Sequence, residues 1–477
     1  MTEFLNNPEV LKPLTKTRKE NIDLESLSKE ELIERVKSLE MHVQQLRNVI
    51  ARKDKSALPS ARVKQKERKF DFSRYKRRHV LLQVSYLGWD YLGFATQEDS
   101  GKTIESELFA ALLQTKLVED RAGCNYHRCG RTDRGVSGTG QVISLDVRTN
   151  LVSGAAVFAQ EGYSGPEDDT AGKTEIDFCS VLNRNLPDDI RVTAWAPAPR
   201  LDFSARFDCD SRSYKYYFPR GNLNIAAMER AGQRLLGTHD FRNLCKMDVN
   251  NGVVSFVRRI DSVSINVVGY EEGGAANAES GYDICCLIIK SKAFLWHQIR
   301  CIVAVLLMIG EALETEEVID QLLDIETNPC RPAYPMASDL PLNLYRTEYQ
   351  DLAWTRDPGS LQLTLASTQK LWAEHALKAA IIRGKLRELE AEAGARVARQ
   401  ADALLTKRKE RNYTKLMELP RCPSLEEKIL SIAKKRKIEM PVDGSNCDDD
   451  NEKDMMSQMI LYDNFHIFIC RQNETFD

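Results

Sequence analysis

The sequence has no C-x-x-C pair, no complete nucleotide-binding glycine loop, no apolar run of membrane length and almost no net charge. Each absence excludes something. The twelve cysteines stand singly or as the adjacent Cys285 and Cys286, so the spacing of a disulfide framework or a four-ligand zinc site is missing. Cys124 and Cys129 flank His127, yet no second pair accompanies them. The polar opening "MTEFLNNPEV" predicts no secretory leader, and the thiols read as reduced. The longest apolar run, "CIVAVLLMI" at 301–309, is about half of the roughly 20 residues a membrane span needs and predicts a buried helix. "GVSGTG" looks like a phosphate loop, but it lacks both G-x-G-x-x-G and G-K-[ST], and a strand rather than a helix follows it, which argues against ATP or NAD. The net charge of −3 conceals segregated patches, so an anionic partner stays open.

At 477 residues the chain has room for two or three units plus tails. Residues 1–27 predict a disordered N-terminus. Over 28–52, Leu32, Val36, Leu39, Val43, Leu46 and Ile50 follow heptad spacing, which predicts a short coiled coil opened by a Ser28 and Glu31 capping box. Residues 53–78 form a basic linker in which Phe70, Phe72 and Tyr75 interrupt Lys and Arg, a pattern of either solvated charge or phosphate contact with stacking. Between 79 and 350 strand and helix patterns mix: "HVLLQVSY", a helix capped by Thr103 through "IESELFAALLQTKLV", a strand at 141–148, then "RSYKYYFPR", a helix near "AAMERAGQRLLG", strands at 253–268 and 282–290, and a helix from Phe294. This predicts an α+β domain of two pseudo-symmetric halves, about 79–200 and 201–350, around one mixed sheet. A Gly, Ser and acid-rich insertion occupies 152–173. A charged helical extension follows at 351–440 and an acidic, largely disordered tail at 441–477, with "KKRK" (Lys434 to Lys437) as an import-like run.

One loop stands out. In "CGRTDRGVSGTGQVISLDV", Arg131, Asp133 and Arg134 share a glycine-punctuated turn before a strand of period two. A loop aspartate between arginines is ordinarily a surface ion pair. Here, however, "GRTDRGVS" closely resembles the catalytic loop of the TruA family of tRNA pseudouridine synthases. "FSARFDCDSRSYKYYF", "GTHDF" at a helix end and "FLWHQIR" resemble further motifs of that family, in the same order across about 270 residues. "YLGFATQED", "LWAEHALKAA" and "RCPSLEEKI" resemble its eukaryotic branch, which modifies positions 38 and 39 of the tRNA anticodon stem-loop.

The resemblance implies isomerisation of uridine to pseudouridine, without redox change or phosphoryl transfer and hence without a cofactor. It implies Asp133 as the ionised carboxylate beside the sugar, attacking C1′ or assisting a glycal-like intermediate, and Arg300 as the cation that keeps it charged. Arg131 then faces RNA and helps extrude the nucleotide. Tyr214 packs on the flipped uracil as a candidate for handling the C5 proton, with Leu295 near the base. His297 and Gln298 only fix the helix, and His239 is a helix-end histidine. Arg134 stands where many relatives have lysine or a small residue, and Gly138 predicts a looser chain just after the loop. Lys and Arg at 62–78, with Arg206, Arg258 and Arg259, are candidate phosphate contacts, Arg206 equally as a brace for the strand. Implied partners are tRNA and a second copy in a homodimer, with no membrane. Residence is expected in the nucleus, the cytoplasm or both.

Overall fold

The computed structural model describes residues 70–96, 101–167, 172–249, 252–269, 281–394 and 413–436. The expected coiled coil and acidic tail lie outside these residues.

The alternating segments become ten strands of one sheet: β1 (Arg77–Tyr86), β2 (His127–Arg128), β3 (Ser137–Arg148), β4 (Val157–Phe158), β5 (Ile190–Pro197), β6 (Ser211–Pro219), β7 (Gly237–Asp240), β8 (Val257–Gly269), β9 (Ile284–Ser291) and β10 (Leu342–Glu348). The main order is β4-β1-β3-β10-β6-β9-β8-β7, with β5 on β1 and β2 on β3. Every pairing is antiparallel except β3 with β10, where Ser137 faces Asn343 and Gly138 faces Leu344. The sheet is therefore mixed, as the pattern implied. Among the described residues, its single parallel seam joins strands about 200 residues apart in the chain.

Helices fill the gaps: α1 (Ile104–Gln114), α2 (Phe178–Asn183), α3 (Ile225–Gln233), α4 (Gln298–Gly310) and α5 (Val318–Leu323), then α6 (Pro358–Ala393) and α7 (Leu425–Arg436). Thr103 caps α1 as expected, its hydroxyl accepting from Ser106 N–H at 3.1 Å while Ser106 Oγ accepts from Thr103 N–H at 3.0 Å. The helix stops before the expected Val118, because Lys116 turns left-handed at φ 55°. The apolar run at 301–309 lies wholly inside the buried α4. No described helix is long and apolar enough to cross a membrane.

Register places Tyr86, Gly138, Leu344, Tyr214, Ile289 and Val263 in one row across the sheet. Residues paired in a ladder share a face, so this row marks one side. All five of α1–α5 pack there, α1 and α2 against Tyr86 and its neighbours, α3–α5 against Tyr214 and its neighbours. The two apolar clusters part at the seam.

Two sequence expectations change. "GTHDF" runs as strand β7 on the sheet edge, and His239 Nε2 lies 2.8 Å from Leu236 O. The basic aromatic segment, where described, belongs to the fold rather than to a linker. Phe70 stacks on Tyr75 with the Arg148 guanidinium over both rings, and Arg78 pairs with Glu175 at 2.8 Å. These groups already have intramolecular partners, whereas Arg74 in the same segment is exposed, and residues 62–69 lie outside the described chain. The insertion also folds back: Val157 and Phe158 pair with β1, and Ser164 N–H donates to Ser73 O at 2.9 Å.

Candidate active site

Asp133 sits on the loop between β2 and β3. Backbone bonds pin its loop to the preceding 87–96 segment. Phe94 N–H donates to Thr132 O at 3.1 Å and Gly135 N–H to Tyr91 O at 3.3 Å, while Val136 N–H closes the turn on Asp133 O at 3.2 Å. Tyr86 and Thr132 share a hydroxyl contact at 2.8 Å. Gly135 has φ +78°, and a Cβ there would stand 2.9 Å from the Asp339 carboxylate. The turn therefore favours glycine for its left-handed backbone, with the Asp339 side chain packed close to it.

Gly138 does not loosen the chain. It is a strand residue opposite Tyr86, and a Cβ on it would meet the Tyr86 ring at 2.6 Å. The missing side chain makes room for the tyrosine that holds Thr132, next to Asp133. A residue read as a weakness is part of the brace.

The opposite wall comes from the turn into α4. His297 has a left-handed backbone, φ 58° and ψ 12°, immediately before the helix, which is why the helix starts at Gln298 and not at Phe294. That turn brings His297 Nε2 to 3.2 Å from Asp133 Oδ2. The expected ion pair between Asp133 and Arg300 is not formed: among the described residues, the basic side chain within 4.0 Å of the carboxylate is His297, which carries a charge only when protonated. Arg300 is buried one turn further along, where its Nε donates to Ala337 O at 2.8 Å and its own carbonyl accepts from Ala337 N–H at 3.1 Å. The guanidinium faces inward because it ties the helix to the 337 segment. Its charge bears on Tyr216, whose phenol burial pushes up and Arg300 holds back.

Tyr214 is buried, its ring edge-on to Phe294 at 5.3 Å. Burial pushes its phenol well above the ordinary value; the neighbouring Cys129, Tyr86 and Asp133 add to this and Arg212 opposes it. It is thus a neutral hydroxyl near neutral pH. Leu295 is buried beside it, its N–H donating to Gln298 Oε1 at 2.8 Å.

Arg131 and Arg134 are exposed on the loop. Arg206 belongs to a guanidinium cluster: burial lowers its pKa, and the charges of Arg131, Arg128 and Arg212 lower it further. Guanidiniums grouped this closely favour an incoming polyanion, although Arg128 among them already pairs with Glu105 at 2.8 Å. Arg258 instead donates to Val257 O at 2.7 Å, and Arg259 pairs with Asp261 at 3.0 Å. Sequence reasoning missed Arg212, which donates to Cys129 O at 2.8 Å, Arg206 O at 3.0 Å and Lys292 O. It clamps the base of the Asp133 loop to the second half of the sheet. Its place at the head of the R-x-Y-x-Y motif was the available signal.

An aspartate on a backbone-pinned loop, faced by buried aromatic and apolar side chains and with several guanidiniums grouped nearby, suits chemistry on a nucleotide drawn out of its stack. Comparison with known proteins gives that class a family. A family model described as tRNA pseudouridine synthase matches residues 231–350. The chain is similar to the tRNA pseudouridine(38/39) synthase of Homo sapiens, 42% identical over 433 residues, covering 86% of this chain and 89% of the relative. The Saccharomyces cerevisiae protein of the same name is 37% identical over 370 residues, 74% and 78% of the two chains. The tRNA pseudouridine synthase A of Methanosarcina mazei is 31% identical over 287 residues, 59% of this chain and 89% of the relative. The chain belongs to the tRNA pseudouridine synthase family, with a catalytic domain of the TruA type.

Proposed function

We propose that this protein isomerises uridine to pseudouridine at positions 38 and 39 of the tRNA anticodon stem-loop. The observation that carries the reading is Asp133, an aspartate side chain only 30% exposed, fixed at the seam of the sheet in a loop of the family's type. In the reaction the N1–C1′ bond breaks, the uracil turns within the pocket, the C5–C1′ bond forms, and the C5 proton leaves as N1 gains one. No electron or phosphoryl group is transferred, so the chemistry asks for no cofactor.

Asp133 acts at the sugar, by attack on C1′ or by assisting the glycal route. Arg131 projects from the same loop to fill the space the extruded nucleotide leaves. Tyr214 and Leu295 form the wall against which the base turns, and the raised phenol makes Tyr214 a hydrogen-bond donor rather than a resting phenolate. Arg300 acts by holding α4 in place. Arg206 and Arg134 meet phosphates with Arg131.

The same reading carries three lesser proposals. The two groups of strands are pseudo-symmetric, since each lays its helices on one face. The protein works as a homodimer, supported by the exposed apolar side chains of α6 and checked by its mass in gel filtration. It resides in the nucleus, the cytoplasm or both, which imaging of a tagged chain with and without Lys434 to Lys437 would decide.

The test is site-resolved mapping of pseudouridine on unmodified tRNA with the wild type and Asp133→Ala. Product at 38 and 39 that vanishes in the variant supports the proposal. Product at other positions assigns a broader target set, and binding without product in both proteins makes it a tRNA-binding protein.

A further inference from the structure

We propose that Trp296 is a binding platform on which the unpaired base next to the reacting uridine stacks, on the loop side of the target: the base at position 38 when position 39 reacts. The inference rests on the reading of Asp133 as the reacting carboxylate and of a tRNA anticodon stem-loop as its substrate. It assigns the contact that holds the RNA once the uridine has left its place.

Position comes first. Trp296 lies in the turn into α4, directly before His297, whose Nε2 is 3.2 Å from Asp133 Oδ2. Within that turn Leu295 and Gln298 are buried, at 7% and 1% exposure, whereas Trp296 leaves 45% of its surface in water. An indole half in water beside a reacting group offers an open apolar surface that a flat partner would cover.

The ring is also held still. Trp296 stacks on the His297 imidazole with centroids 4.3 Å and planes 27° apart, and its carbonyl accepts from Lys246 N–H at 2.9 Å. Gln298 N–H donates to Leu295 O at 3.1 Å and Leu295 N–H to Gln298 Oε1 at 2.8 Å, which closes the turn around it. A side chain already ordered in the free protein loses little entropy when a base joins the stack. Lys246 Nζ stands 5.9 Å from the indole centroid, so a cation accompanies the ring, the combination by which single-stranded nucleic acid is bound. Trp89, on the segment that pins the Asp133 loop, is used within the protein instead: its Nε1 donates to Leu340 O at 3.3 Å and its ring meets His375 edge-on at 5.1 Å.

The partner follows from what extrusion does to RNA. Drawing out a nucleotide takes a stacking neighbour from the bases on either side. On the stem side that base stays paired, while on the loop side it has no pairing partner and is free to turn a π-face to the indole. Stacking tolerates any sequence because every base has such a face, so Trp296 reads an unstacked base and not its identity.

The experiment is a cycle of affinity measurements on a tRNA whose reactive uridine is at position 39, carrying adenine or an abasic residue at position 38, with wild type, Trp296→Ala and Trp296→Phe. Trp296→Ala is expected to weaken binding of the adenine tRNA by about 10-fold or more, the scale of one base on an aromatic ring, and Trp296→Phe to recover most of that loss. The abasic residue is expected to cost the wild type a similar factor and the alanine variant almost nothing further. Wild-type affinity in Trp296→Ala overturns the proposal. So do losses from the two changes that simply multiply, or a Phe variant no better than Ala.

Alanine also removes the packing on His297, so Trp296→Leu, apolar but without a π-face, is measured beside it, and 2-aminopurine at position 38 supplies a readout in the unaltered protein. Leucine that binds as weakly as alanine, with 2-aminopurine emission quenched in the wild-type complex and restored in the leucine complex, supports the stack. Leucine as good as tryptophan, or emission that does not differ between the two complexes, removes it. Wild-type protein that makes no pseudouridine would defeat the reading of Asp133 as the reacting group, whereas the affinity cycle and the emission would still decide whether Trp296 holds a base.

Discussion

The two groups of strands that meet at the β3–β10 seam are covered differently. The β1–β3–β5 side is packed on both faces: α1 and α2 lie on one, and Leu81, Cys129, Val142, Phe203 and Cys209 form a second cluster on the other, backed by Tyr349, Leu352 and Trp354. The β6–β9–β8 side is packed on its helical face, while Tyr217, Tyr345, Ser264 and Asn266 on the reverse remain exposed. Asp133 is delivered from the doubly covered side by a loop bonded through its backbone. The residues facing it come from the singly covered side, where a helix start positions them. Rigid backbone support thus goes with the Asp133 loop, and the residues that face it are set on the less enclosed half.

The sharpest break in this comparison is Asp133→Asn, which keeps the size and removes the charge. Turnover should fall by at least about 10⁴-fold, as for other enzymes that lose a central reacting group, while the unfolding midpoint in urea stays at the wild-type value. A variant with measurable single-turnover activity would move the chemistry away from the first half.

Next comes Glu105, a fully buried carboxylate at the start of α1 that accepts from Thr96 N–H at 2.7 Å, Arg121 at 2.8 Å and Arg128 at 2.8 Å. Glu105→Gln should cost about 3 kcal/mol by urea denaturation, because the paired cations lose their buried partner. Burial pushes this carboxyl up, but the Thr96 N–H and the Arg128 and Arg121 guanidiniums outweigh it and leave the pKa lowered. Its contribution is therefore complete above the unfolded value of about 4.3 and disappears as pH falls through the folded one. The stability gap between wild type and Glu105→Gln should close on acidification; a gap independent of pH would mean that the ion pairs are not its source.

Gly138→Ala tests the brace between Tyr86 and the loop. A Cβ 2.6 Å from the Tyr86 ring should cost about 1–3 kcal/mol, the range for overpacking, and lower turnover along with stability. An alanine variant of wild-type stability would show that Tyr86 yields easily and does not hold the loop.

The smallest effect belongs to α6, where Trp372 is 71% exposed and Ile381 74%. Ile381→Ser should shift the stability of the folded unit by no more than about 0.5 kcal/mol. A larger loss, in protein whose mass in gel filtration also changes, would mean that this face is covered by another copy.

Much of the fold follows from local pattern. Period-two alternation locates β1, β3, β6 and β9, and Thr103 announces α1. The seam is different, because parallel pairing of Ser137 and Gly138 with Asn343 and Leu344 depends on contacts across about 200 residues, which local periodicity does not encode. The segment after 412 was also illegible: Leu416 is fully buried and Tyr413 donates to Glu314 Oε1 at 2.5 Å, although the surrounding composition is charged. In the site, motif resemblance singles out Asp133, Tyr214 and Arg300, whereas composition alone would leave Asp133 a surface ion pair. The pairing of His297 with Asp133 escapes the sequence, since it depends on one left-handed residue that shifts the start of α4.

The position of β10 has a consequence for how the protein comes into being. During synthesis the Asp133 loop leaves the ribosome more than 200 residues before Leu342–Glu348, the strand that separates β3 from β6. Contacts so distant along the chain close late, after loop-closure entropy has been overcome. The carboxylate and the helix start that faces it are therefore brought together only near the end of folding. A nascent or truncated chain that has made only its first group of strands therefore carries the loop without its opposite wall, and completes this region only once the seam has zipped shut.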